Sequence, residues 1–260
     1  MILNEIIKVL EKKFPVTNKE EWDNVGLMIG RRQNEIKKIQ LSLDVTMEII
    51  DNAVKNGVDL IISHHPMIFS GVKKINSDTI IGEKIIKAIE NNIAVYSLHT
   101  NLDSTKDGLN DYVGKKLNLI DGKIIDEINE NESGIGRVYS LGEKIKFSDF
   151  LERIKESFLT NNLRVAGKNL DELLIKKVAI VNGAGSSYWR KAKKMGSDLL
   201  ITGDVKYHEA LDAMEEGFCI VDIGHYETEH FFGEIIKKEL EEFEGIEIIE
   251  FNDVPVFNKI

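Results

Sequence analysis

Imidazoles and carboxylates are the ligands that first-row divalent metals take, and this chain places them in three short polar segments. They are Ser63-His64-His65-Pro66, Leu98-His99-Thr100-Asn101-Leu102-Asp103 and Gly224-His225-Tyr226-Glu227-Thr228-Glu229. Each follows directly on an apolar run of strand-like composition. His225 and Glu229 stand four apart at the start of a helical pattern, so their side chains share a face and can close on one ion. The same spacing also serves ordinary helix ion pairs. His64 and His65 leave a strand as neighbours, which directs them opposite ways and lets them serve two ions, while Pro66 ends the ladder; a pair of capping histidines is the alternative. Asp103 by itself reads as a loop or capping aspartate. The inference lies in the conjunction.

His64, His65, His225, Asp103 and Glu229 offer three imidazoles and two carboxylates, more than a structural tetrahedral zinc accepts. They suit two divalent ions, zinc, iron or manganese, with Asp103 bridging and positions left open for water and a substrate phosphate or carbonyl oxygen. A pair of ions about 3.5–4 Å apart activates water near neutral pH. His99 is the candidate acid/base or supporting hydrogen-bond donor. Lys206 and His208 can contact substrate or solvate a helix N-terminus, and His230 reads as packing or capping.

The elements that must position these groups repeat along the chain. Lys38 to His64 reads as strand (Ile39 to Leu43), helix (Met47 to Asn56), Gly57, then strand (Asp59 to Ser63). Lys177 to Gly203 has the same order: Lys38, Ala53, Lys55, Gly57, Asp59, Leu60 and Ile62 meet Lys177, Ala192, Lys194, Gly196, Asp198, Leu199 and Ile201. Ala94 to Leu98 matches Cys219 to Ile223, each after a helix (Gly82 to Glu90; Tyr207 to Glu216). Duplication or convergence of two βαβ units explains this equally in structural terms. The fold class expected is α/β, two interlinked and partly duplicated domains with largely parallel sheets covered by helices. Residues 1–126 with 226–260 are expected to form the metal-binding domain and 127–225 the second. In such sheets ligands bind beyond the carboxyl ends of the strands, where all three polar segments lie. Asp121 to Ser133 reads as the join between halves. Ile135 to Tyr139 follows as a strand, with Ser148 as N-cap of a helix to Phe158. A closing helix, Tyr226 to Phe243, carries Phe231, Phe232, Ile235, Ile236, Leu240 and Phe243 along one core-facing side.

The composition narrows the function. With 30% charged and 42% hydrophobic residues the 260-residue chain is of soluble globular type. No apolar run approaches the roughly 20 residues of a membrane span, and the N-terminus lacks signal-peptide character, so a cytoplasmic location is expected. A formal charge of -10 argues against a dedicated nucleic-acid surface. The single cysteine, Cys219, reads as a buried strand residue. Neither Gly-x-x-x-x-Gly-Lys nor a helix-opening Gly-x-Gly-x-x-Gly is present. Gly183-Ala184-Gly185-Ser186-Ser187 either binds an anion through its amides or makes a tight turn.

Trp22-Asp23-Asn24-Val25-Gly26-Leu27, the three segments above and Thr202-Gly203-Asp204 together resemble, in order and spacing, the Nif-three-like family, usually labelled GTP cyclohydrolase 1 type 2 homologues. The likeness runs almost end to end. It implies two interlinked α/β domains, a dinuclear metal centre and a toroidal homohexamer whose sites face an internal cavity. By motif, the family's ligands fall on His64, His65, Asp103, His225 and Glu229. Longer relatives carry an inserted domain where this chain has only the Asp121 to Ser133 join. The expectation is therefore a dinuclear metal-dependent hydrolase of a nucleotide or related phosphorylated or heterocyclic small molecule, with ring opening of the cyclohydrolase type as its specific form. A non-catalytic ring scaffold or metal-trafficking protein is the competing class.

Overall fold

The two βαβ repeats are present, and equivalent side chains hold them. A computed structural model describes residues 1–129 and 132–257. In chain order the first elements are α1 (Leu3–Lys13), β1 (Gly26–Ile29), β2 (Lys38–Ser42), α2 (Met47–Asn56), β3 (Leu60–Ser63), α3 (Ile80–Glu90), β4 (Ala94–Ser97) and α4 (Thr100–Ser104). Next come α5 (Leu109–Lys116), β5 (Lys123–Asn129), β6 (Ser133–Lys146), α6 (Phe147–Phe158), β7 (Arg164–Ala166) and β8 (Leu174–Ile180). The chain closes with α7 (Trp189–Lys194), β9 (Leu199–Thr202), α8 (Tyr207–Glu215), β10 (Cys219–Asp222), α9 (His225–Glu229), α10 (Phe232–Leu240) and β11 (Glu247–Glu250). It divides into two compact units, Met1–Leu102 with Phe232–Asp253, and Asp103–Phe231 with Val254–Ile260.

In the first unit β2, β3 and β4 run parallel, β11 adds parallel to β2, and β1 closes the other edge antiparallel to β4. Thr46 caps α2 by accepting the amide of Ile49, and Gly57 ends it at φ +64°, a conformation glycine adopts without Cβ strain. The amphipathic face of α2 (Ile49, Ile50, Ala53) packs with Ile61, Ile85, Ala88 and Val95 into the core. In the second unit β8, β9 and β10 form the parallel centre, flanked by the antiparallel strands β5, β6 and β7. Trp189, Leu200, Phe218 and Ile220 fill that core. Asp59 Oδ2 accepts the amides of Lys37 and Lys38 at 2.8 and 2.9 Å, and Asp198 Oδ2 accepts those of Lys176 and Lys177 at 2.6 and 2.7 Å. One carboxylate thus closes the crossover at the same place in each repeat. The α/β architecture, with two sheets covered by helices, is as expected.

Three local readings change. The stretch from Asp121 to Ser133 is no simple join: Lys123–Asn129 is an edge strand paired antiparallel with β6, because Ile125, with Ile128 packed beside it, supplies apolar surface to the core. Glu130 and Asn131 lie outside the described residues. Ser148 is not an N-cap; α6 starts at Phe147, whose ring is buried and whose amide donates to Leu173 O at 2.9 Å. The closing helix is broken at His230–Phe231. Phe231 packs against Tyr112 and Phe158 in the second unit, whereas Phe232, Ile235, Ile236 and Leu240 are buried in the first. A stripe divided between two cores cannot stay on one straight helix.

Candidate metal centre

Parallel strands β3 and β4 end together, Ser63 beside Ser97, and deliver His64, His65 and His99 to one place in the first unit. Hydroxyls of Ser63 and Ser97 lie 3.0 Å apart and tie the two exits. The imidazole centroids are 5.2 Å apart for His64 with His65, 5.2 Å for His64 with His99, and 5.5 Å for His65 with His99. One nitrogen from each ring falls within 4.8 Å of the others. His64 and His65 do not diverge as strand alternation suggested. The ladder stops at Ser63, and the amides of His64 and His65 turn back to Ser42 O and Leu43 O.

Each ring is oriented through its Nδ1. His64 Nδ1 donates to Leu98 O at 2.7 Å, His65 Nδ1 to Asp44 Oδ1 at 2.9 Å, and His99 Nδ1 to Asp23 Oδ1 at 2.9 Å. A carbonyl or an ionised carboxylate only accepts, so Nδ1 carries a proton and Nε2 is the nitrogen each ring would offer a metal. Histidines that bind metals are held this way, by an oxygen on the far nitrogen. Asp23 is enclosed, and burial alone would raise its pKa. The hydrogen bond and charge of His99, with the hydroxyl and amide of Thr100, outweigh burial and bring it down to about 2. Its carboxylate therefore stays ionised at neutral pH.

The second unit holds His225 and Glu229 on one face of α9. His225 Nε2 lies 2.9 Å from Glu229 Oε2, a separation that one cation can span, and His225 Nδ1 donates to Asp204 Oδ2 at 2.8 Å. Glu229 is buried with 3% of its surface exposed. It fits there because residue 183 is glycine: a Cβ on Gly183 would stand 2.3 Å from Glu229 Oε1 and 3.3 Å from the His225 ring. The Gly183 loop thus makes a tight turn, its amide donating to Thr228 Oγ1 and its carbonyl accepting from Gly185 N and Gly203 N. Asp103 is buried in α4, its carbonyl accepting Nδ2 of Asn110. Lys206 and His208 are exposed at the first turn of α8, and His230 stacks on Tyr226 with its Nδ1 at Tyr226 O.

The donor sets fit a divalent cation. Two tautomer-fixing residues, Asp44 and Asp204, were not singled out as functional from the sequence. Both stand just past the ends of strands, Asp44 after β2 and Asp204 after β9, which is the signal that could have found them. Asp23 sits in the Trp22-to-Leu27 motif without any periodicity to mark its role.

Residues 1–255 match the family model Duf34/NIF3 (NGG1p interacting factor 3). A Clostridium perfringens protein called GTP cyclohydrolase 1 type 2 homolog is 47% identical over 230 residues, covering 88% of this chain and 87% of the relative. Among solved structures, a Bacillus cereus protein related to NIF3 superposes with TM-score 0.89 at 25% identity, covering 100% of this chain and 99% of its own. Reduced HcgD from Methanocaldococcus jannaschii superposes with TM-score 0.85 at 32% identity, covering 97% and 98%. With the family model spanning nearly its whole length, the chain belongs to the Duf34/NIF3 family.

Proposed function

We propose that this protein is a hydrolase dependent on two divalent metal ions, acting on a nucleotide or a related phosphorylated or heterocyclic small molecule. The observation that carries the reading is the shared orientation of His64, His65, His99 and His225, each with Nδ1 committed to an oxygen, which leaves Nε2 as the nitrogen a metal would take. Imidazoles that serve only packing or solubility have no need of a common tautomer. His64, His65, Asp103, His225 and Glu229 are the ligands in this proposal, supported by the donor chemistry of each unit and by family membership. Bound divalent ions acidify water and polarise a phosphoryl or carbonyl oxygen. Asp44, Asp204 and Leu98 O hold the ligand rings in the metal-binding tautomer. His99 moves the proton: the ionised Asp23 fixes its ring and stabilises the imidazolium formed when Nε2 accepts a proton. The curated relatives' label supports ring opening of the cyclohydrolase type as the specific form, and the homohexamer rests on family membership alone.

The test combines elemental analysis of protein purified without added metal with a substrate screen after reloading each candidate ion. Formate release identifies ring opening and phosphate release a phosphoesterase. Asp103→Ala and Glu229→Ala are expected to abolish turnover while far-UV circular dichroism stays native. Full turnover in both variants would refute the proposal, and bound metal with no turnover on any substrate would favour a metal-binding scaffold. Light scattering at six times the chain mass checks the assembly.

A further inference from the structure

Trp22 and Phe69 are each 55% exposed, although both lie beside the imidazole cluster of the first unit. Their centroids are 5.6 Å apart with planes tilted by 36°, and both meet His99 edge on, at 5.9 and 6.4 Å. Aromatic rings bury large areas where they can, so two left bare together at the rim of a polar cluster mark a ligand surface. The backbone beneath them is held firmly. Lys19 Nζ donates to the carbonyls of Glu20 and Asp23, on either side of Trp22, and Glu20 N donates to Thr100 Oγ1. Asn24 Nδ2 donates to the carbonyl of Ile68, the residue before Phe69, at 2.6 Å. Three consecutive residues therefore set one aromatic ring, orient His99 and anchor the second ring. Such a surface meets its ordering cost before a ligand arrives.

We infer that Trp22 and Phe69 form a stacking ledge that lays the planar heterocycle of the substrate beside His99; this rests on the substrate class proposed above. Insertion between the rings is excluded, because a sandwiched base needs them about 7 Å apart, twice the stacking distance of roughly 3.5 Å. The base instead lies on the outward face of the pair. Every base has a π-face, so the ledge selects an aromatic ring over a bare sugar phosphate without distinguishing one purine from another.

Trp22 is one of two tryptophans, and the other, Trp189, is fully buried, so fluorescence quenching on ligand addition reports Trp22. The metal-stripped full chain is titrated with guanosine monophosphate, adenosine monophosphate and ribose 5-phosphate by fluorescence, and Trp22→Leu, Phe69→Leu and Trp22→Phe by calorimetry. Both nucleotides are expected to bind within a few-fold of each other and about tenfold or more tighter than ribose 5-phosphate. Each leucine variant loses about tenfold in nucleotide affinity with ribose 5-phosphate unaffected, and Trp22→Phe recovers most of the loss. Equal affinity of the wild type for nucleotide and ribose 5-phosphate overturns the ledge, as does wild-type nucleotide affinity in both leucine variants. A changed assembly mass with unchanged affinity overturns it too, assigning the pair to contact with another copy. Preferential nucleotide binding without turnover keeps the ledge and removes the hydrolase; turnover with undiminished affinity in the leucine variants does the reverse.

Discussion

Asp23 Oδ1 lies 2.9 Å from Nδ1 of His99, while its second oxygen takes the amide and hydroxyl of Thr100, the next residue in the chain. One carboxylate thereby fixes the tautomer of an imidazole and starts the helix that carries Asp103.

That arrangement makes stability depend on acid in a defined window. The Asp23 carboxyl is depressed in the folded chain, so its contribution is fully present above the ordinary aspartate range near pH 4 and is lost as pH falls toward 2. After allowance for solvent screening the contribution is about 1–2 kcal/mol. Asp23→Asn is expected to lower stability at pH 7 by about that amount and to flatten the stability curve between pH 4 and 2. Urea melts followed by circular dichroism at several pH values read this directly; a parallel loss of stability with acid in both proteins would remove Asp23 from the account.

Asp44 and Asp204 are about half exposed, so removing either leaves the fold standing and isolates its effect on a histidine. Asp44→Ala and Asp204→Ala are each expected to weaken metal binding about 10- to 100-fold. Titration against a competing chelator measures it, and wild-type affinity in both variants would show that orienting Nδ1 is irrelevant here.

Gly183→Ala introduces a Cβ where Glu229 Oε1 would stand 2.3 Å away, at a backbone φ of +58°. Displacement of Glu229 and strain of about 1–2 kcal/mol are expected together. Metal content should fall along with melting temperature, whereas Gly217→Ala, at φ +72° with open space around its Cβ, should cost stability alone. Identical metal loading in the two glycine variants would contradict the cradle.

Burial pushes the Cys219 thiol up to about 12, and 3% of the residue is exposed. Iodoacetamide at pH 8 should leave native protein unmodified by mass spectrometry and label it promptly in urea. Rapid labelling of the folded chain would place Cys219 outside the core.

The βαβ units were legible because their constraints are local: apolar runs, helix periodicity and Gly57 follow from nearest neighbours, and the repeat doubled each signal. The candidate ligands stood out for a related reason, since polar residues directly after buried runs sit where α/β sheets bind ligands. The carboxylates behind the rings were less so. Asp23 reaches His99 across 76 positions and Asp204 reaches His225 across 21, and no periodicity in a sequence records which oxygen will face which nitrogen. The division of the closing apolar stripe at Phe231 and Phe232 was equally hidden, because a row of phenylalanines and isoleucines announces burial and not the core that receives it. Residue types and order determined the fold class and the candidate donor residues of this chain, whereas ring direction and the exposed Trp22–Phe69 pair depend on which distant backbone segments pack together, which tertiary structure alone decides.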